Sequence, residues 1–146
     1  KGVLAVFMFK AFSVLIKIAE AHGATPKEIR RMHAAATEMC YPISNMFSLV
    51  VFFYGSNPSG NPLTIIINCI LNIMYMMLAA KHIEKNRGKE DNPSDVICYD
   101  YFFDFLALAV NGDDNIASSK LDWLNHTSIS DALSFYGITY TMPDKE

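Results

Sequence analysis

Residues 55–62, GSNPSGNP, put two glycines and two prolines into eight positions. No regular element crosses such a stretch, because proline removes a backbone donor and glycine resists ordering. Residues 63–80 follow at once, with 18 positions and no formal charge. The pattern predicts one long helix over residues 63–85, apolar on nearly every side and therefore buried. Any fold for this chain has to wrap that helix and admit a sharp loop at its start.

The rest of the composition suits such a fold. The chain has 146 residues, enough for one ordinary domain, with 51% hydrophobic and 18% charged residues. That excludes a disordered chain. Twelve Lys and Arg against 15 Asp and Glu leave a net charge of −3, which excludes a free-standing basic nucleic-acid-binding module. Cys40, Cys69 and Cys98 are widely separated and form no CxxC pair, which fits reduced thiols better than a disulfide framework or a zinc site. The chain opens on Lys1 and runs directly into apolar sequence, and it reads as a piece of something larger.

Along the chain, the apolar run at residues 2–9 predicts a buried strand. Residues 11–22 carry Phe12, Leu15, Ile16 and Ala19 at helical spacing, closed by Gly23. Thr25, Pro26 and Glu28 form a capping-box start for a second helix ending before Pro42. Residues 46–54 (MFSLVVFFY) predict a strand and residues 86–94 a polar loop. The second half of 101–110 predicts a strand entering a hairpin turn at Asn111-Gly112, with 115–118 returning. A helix over 127–136 ends at Gly137, and residues 138–142 alternate as a strand. The predicted order, β α α β α β β α β, is α+β with antiparallel strands backed by helices.

Chemistry concentrates in two places. Asp113 and Asp114 are adjacent carboxylates at the tip of the predicted hairpin, where their repulsion calls for a compensating cation. An Asn-Gly turn flanked by Asp is also a common plain hairpin. Ser59 and Gly60 precede the long helix, in which Thr64 and Asn68 lie four apart and share one face. Polar groups on a buried helix need partners. Helix capping and internal bonding would supply them, and so would a ligand.

Taken together, Ser-Gly-x4-Thr-x3-Asn at a loop-to-helix junction and a later Gly-Asp-Asp hairpin resemble the palm of viral RNA-dependent RNA polymerases. The likeness is to the picorna-like group of positive-strand RNA viruses. Residues 136–145 (YGITYTMPDK), with a Gly after a helix and a Lys after Pro-Asp, resemble the family's motif D. The resemblance implies a palm subdomain over residues 1–146: motif A region 3–16, motif B 55–85, motif C 105–118 and motif D 127–146. It implies that Asp113 and Asp114 bind Mg²⁺ or Mn²⁺. Thr64 and Asn68 would read the ribose of the incoming nucleotide, and Ser59 and Gly60 would form the loop that accommodates template and nucleotide. Lys145 would protonate the pyrophosphate leaving group.

The implied partners are an RNA template and primer, nucleoside triphosphates, and the fingers and thumb of a parent polymerase. The implied setting is the host cell cytoplasm at viral replication complexes. On this reading residues 63–80 form the buried palm helix, and no membrane span is expected.

The sequence departs from the family pattern twice. Asn111 stands before Gly112 where the family usually has Tyr. In the motif A region, Met8 and Ser13 occupy the positions of two expected aspartates, although Ser13 could still bond a ribose hydroxyl. A thioether is a poor ligand for a hard cation, and two-metal phosphoryl transfer needs carboxylates on facing strands. The expectation is therefore a palm fold with little or no activity as written. The competing reading is a non-catalytic, palm-like binding or scaffolding module that has lost its metal ligands.

Overall fold

The computed structural model describes residues 5–54, 62–86, 97 and 99–141. The elements run α1 (Ala5–Ala21), α2 (Pro26–Cys40), β1 (Ile43–Met46), β2 (Leu49–Phe52), α3 (Thr64–Asn86), a short 3₁₀ turn (Tyr99–Tyr101), α4 (Phe102–Phe105), β3 (Leu106–Asn111), β4 (Asp114–Ser119) and α5 (His126–Phe135). The fold is α+β, and its strands form two antiparallel hairpins, β1-β2 and β3-β4. The chain divides within α3 into two compact units, residues 1–71 and 72–146.

In the first unit, the strand expected at residues 2–9 is corrected: from Ala5 onward the run is helical and continuous with α1. The buried residues Met8, Ala11, Phe12 and Ile16 explain why, since their spacing makes a single helical stripe. A short apolar run is compatible with a strand or a buried helix, and nothing between Ala5 and Ala21 breaks a helix. The second helix forms as expected. Glu28 N–H donates to Thr25 Oγ1 at 3.3 Å, and Thr25 N–H donates to Glu28 Oε2 at 2.8 Å. The Thr25 hydroxyl also donates to Glu28 Oε2 at 2.7 Å, and this bond, with that from Thr25 N–H, holds the exposed Glu28 carboxyl below the usual carboxylate range.

The single strand expected at 46–54 is instead a hairpin. Phe47 and Ser48 turn the chain with φ of 49° and 71°, the pattern of a type I′ turn. The pair contains none of the Asn, Asp or Gly residues that favour positive φ and signal a type I′ turn in a sequence. Ile43, Leu49, Val50 and Phe52 are all exposed on this hairpin, and Phe47 is 98% exposed.

In the second unit, Met76, Ala79 and Ala80 of α3 enter a core with Phe102, Leu106, Leu121, Leu124, Ile129, Ala132 and Leu133. By length and hydropathy α3 could cross a membrane. Only a third of that apolar stretch is buried, and Ile65 and Ile66 are exposed, so the helix expected to be buried on nearly every side is buried on part of its surface.

Helix α5 starts at Asn125, whose Oδ1 accepts from Ser128 N–H at 3.0 Å. It ends at Gly137, where φ is +72°. There Gly137 N–H reaches Ser134 O and Ile138 N–H reaches Leu133 O, a Schellman closure that favours glycine at the left-handed position. Trp123 packs against this core, and its carbonyl accepts from Ser128 Oγ at 2.7 Å, which anchors the start of α5.

The strand expected at 138–142 is also corrected. Residues 138–141 form no ladder, and Met142 lies outside the described residues. The alternation is real, because Ile138 and Tyr140 pack against the core while Gly137 and Thr139 are exposed. It reflects side-chain burial, and among the described residues no strand pairs with this segment to make a ladder.

Candidate active site

The β3-β4 hairpin places the two carboxylates. Leu106 is buried and Leu108 and Val110 are half-buried, whereas Ala107, Ala109 and Asn111 are exposed, the period of two that orients a half-buried strand. Val110 pairs with Asn115 and Asn111 with Asp114, so the loop consists of Gly112 and Asp113. The turn thus sits one residue later than the expected Asn-Gly. Gly112 has a φ of +61°, and Asp113 does not have positive φ. This is the pattern of a II′ turn, which takes glycine at its first central position. Both Asp113 and Asp114 are exposed.

What holds this tip is a residue that the sequence analysis did not select. Asn72, on α3, is 7% exposed and is the one buried polar residue among those described. Its Nδ2 donates to the carbonyl oxygens of Asp113 (2.9 Å), Asp114 (3.3 Å) and Gly112 (3.4 Å). Backbone carbonyls only accept, so they fix which end of the Asn72 amide faces them. Asn72 Oδ1 must then accept, and it does so from Asn115 Nδ2 at 2.8 Å. That in turn leaves Asn115 Oδ1 to accept from the Tyr140 hydroxyl at 2.8 Å. Burial raises the Tyr140 hydroxyl above its ordinary range, in keeping with its role as a donor to Asn115. The available signal was spacing: Asn72 follows Asn68 by four, as Asn68 follows Thr64.

The other expected site residues lie on α1, on α3 or outside the described residues. Thr64 opens α3 and Asn68 lies one turn on, both half-buried. Ser13 is in α1, where its Oγ donates to the Phe9 carbonyl at 2.8 Å. Met8 is fully buried in the same helix. Ser59, Gly60 and Lys145 lie outside the described residues.

No group of three or more His, Cys, Asp or Glu among the described residues is placed to hold a metal ion. Asp113 and Asp114 supply hard oxygen donors of the kind Mg²⁺ and Mn²⁺ take, but only part of a full set. Cys40 is buried, and its thiol is pushed up to about 11 by desolvation, which leaves it inert as a ligand or nucleophile near neutrality.

Among the described residues, an α+β fold of five helices and small antiparallel sheets is compatible with a polymerase palm fragment. The family model described as viral RNA-dependent RNA polymerase matches residues 4–146, and the chain belongs to that family. It is 32% identical over 90 residues to the replicase polyprotein of Drosophila C virus, covering 59% of this chain and 5% of that protein. It is 27% identical over 108 residues to the replicase polyprotein of Cricket paralysis virus, covering 72% of this chain and 6% of that protein. The replicase polyprotein of Acute bee paralysis virus is 29% identical over 89 residues, covering 59% of this chain and 5% of that protein. The chain thus spans only about a twentieth of the length of these relatives. No solved structure matches it.

Proposed function

We propose that this chain is the palm of an RNA-directed RNA polymerase that copies the genome of a picorna-like virus. The observation that carries the reading is the Gly112-Asp113-Asp114 turn, gripped at three backbone carbonyls by Asn72. Thr64 and Asn68 precede Asn72 on the same helix at four-residue steps. Two carboxylates at a hairpin tip repel each other, and so rigid a backbone mount keeps them available to a cation.

In this reading Asp113 and Asp114 would hold Mg²⁺ or Mn²⁺. When bound, the cations would supply charge neutralisation for the attacking and leaving oxygens of the phosphoryl transfer. Asn68 and Thr64 contact the ribose, and the 2′-hydroxyl is the group that tells RNA precursors from DNA precursors. Ser59 and Gly60 accommodate template and nucleotide. The primer 3′-hydroxyl gives its proton to water as its oxygen bonds to the α-phosphorus and the bond to pyrophosphate breaks, and Lys145 gives a proton to the departing pyrophosphate. RNA template, primer and nucleoside triphosphates are the substrates. Fingers and thumb come from the parent polymerase, which works in the host cytoplasm at viral replication complexes.

The helical state of residues 5–21 changes how Met8 and Ser13 are to be understood. The burial of Met8 and the bond of the Ser13 hydroxyl to its own helix support reading both as packing residues. We therefore assign the missing motif A carboxylates to polymerase sequence outside these 146 residues. The chain alone is then inactive because its carboxylate set is incomplete.

The test is RNA-templated primer extension by the parent polymerase carrying this palm. The reading predicts extension that requires Mg²⁺ or Mn²⁺. It also predicts that Asn68→Ala lowers discrimination against deoxynucleotides by about tenfold or more, as expected when a hydrogen-bonded substrate hydroxyl loses its reader. Extension without a divalent cation, or unchanged discrimination in Asn68→Ala, would contradict it.

A further inference from the structure

We propose that Tyr140, Asn115 and Asn72 form a positioning relay that sets where Asp113 and Asp114 stand during nucleotide addition. The inference rests on the polymerase reading and adds to it three residues which do not themselves touch substrate. Its basis is the directed chain of bonds from the Tyr140 hydroxyl to Asn115 Oδ1, from Asn115 Nδ2 to Asn72 Oδ1, and from Asn72 Nδ2 to the turn carbonyls.

Each member is fixed by the one before it. The turn carbonyls can only accept, so reversing either amide would set acceptor against acceptor or donor against donor. The relay therefore has one arrangement in which every partner is satisfied, and losing any link leaves a polar group partly or fully buried without its bond.

Packing is arranged around it. Asn115 is half-buried while its strand neighbours Asp114 and Ile116 are exposed, so it is turned toward Asn72. Tyr140 is held independently: its ring lies 4.8 Å from that of His126, and its carbonyl accepts from Ser130 Oγ at 3.3 Å. The far end of the relay is thus anchored on α5 and its near end on the carboxylate turn. The segment after Gly137 is tied by this route to the hairpin bearing Asp113. A carboxylate misplaced by a fraction of an ångström lowers turnover without removing binding.

The decisive variant is Tyr140→Phe, which keeps the ring and removes only the donor. In the parent polymerase it should lower kcat about three- to tenfold, the rate equivalent of one neutral hydrogen bond. KM for the nucleotide should stay within about twofold, because the effect falls on the transition state. Asn72→Ala should lower kcat further. The double variant Asn72→Ala, Tyr140→Phe should be no slower than Asn72→Ala alone, since the route past Asn72 is already cut. A wild-type kcat in Tyr140→Phe would overturn the relay, and so would multiplicative losses in the double variant. Asp113→Asn serves as the control. If it abolishes extension while Tyr140→Phe is unaffected, the relay fails and the polymerase reading stands. If Asp113→Asn extends normally, both fail.

Discussion

Asn72 and Asp113 meet across 41 positions of sequence, the Asn72 amide donating to the Asp113 carbonyl at 2.9 Å. Because Asn72 is buried, truncating it strands acceptors and the Asn115 amide at once. Asn72→Ala should destabilise the second unit by about 1–3 kcal/mol, the range for leaving buried polar groups unsatisfied. Urea unfolding followed by near-UV circular dichroism would show a lower midpoint. Asn72→Asp should be worse than Asn72→Ala, because a carboxylate would face three carbonyl oxygens with no donor.

Met8 gives the sharpest separation between a packing residue and a lost metal ligand. It is fully buried in α1. Met8→Asp places an unpaired carboxylate in a core, and unfolding of the first unit is expected, with a loss of about 3 kcal/mol or more. Had the position been a vacated ligand site, the same change would leave stability intact and tighten Mn²⁺ binding. Thermal unfolding with and without Mn²⁺ distinguishes the two.

Gly112 sits at φ +61°, yet a side-chain β-carbon there would meet nothing within 4 Å. The penalty for Gly112→Ala is therefore one of backbone conformation, about 1 kcal/mol. Chemical denaturation should place the Gly112→Ala midpoint below that of the parent chain.

The Phe47-Ser48 turn carries two non-glycine residues at positive φ. Replacing the pair with Asn-Gly should stabilise the first unit by about 1–2 kcal/mol, since that pair is suited to a type I′ turn. It should also reduce self-association, because Phe47 is the most exposed apolar residue on the hairpin. Thermal unfolding and sedimentation velocity read these effects separately.

Alkaline pH should loosen both units. Tyr140 and Tyr75 are raised by burial, and Tyr99 is raised by burial and by the Glu84 carboxylate beside it. For each, the folded state holds its proton more tightly than the unfolded state. Their stabilisation is complete below the ordinary tyrosine value of 10.0 and is lost as pH rises through the higher folded values. Cys40, raised from 9.0 to about 11, adds the same sign of loss between those values in the first unit. Urea midpoints measured from pH 7 to pH 11 should hold level up to about 9 and then fall.

How legible these features were depended on whether the signal was local. The Thr25-Glu28 capping box and the ends at Gly23 and Gly137 are written in adjacent residues, and the structure carries them. The long helix and the Gly-Asp-Asp hairpin were legible for the same reason. The run at residues 2–9 misled because an apolar stretch has no period of its own, and the helix stripe becomes visible only with Ala11, Phe12 and Ile16. The Phe47-Ser48 turn was hidden because positive φ there is imposed by hairpin pairing, not by residue preference. Ile138 and Tyr140 alternate without forming a strand, because a ladder depends on a neighbour the sequence does not reveal. At the candidate site, the hairpin that carries Asp113 and Asp114 was legible and its mount on Asn72 was not. Asn72 looked like one more polar interruption until the hairpin carbonyls lay beside it.

The central claim is that Asp113 belongs to the catalytic centre and that the motif A carboxylates lie outside residues 5–21. Primer extension by the parent polymerase, comparing Asp113→Asn with Ser13→Ala, tests both halves in one assay. The account predicts that Asp113→Asn lowers kcat by at least about a hundredfold, as for loss of a group that stabilises transition-state charge, while Ser13→Ala extends at close to the parent rate. Normal extension by Asp113→Asn, or a comparable collapse in Ser13→Ala, would contradict it.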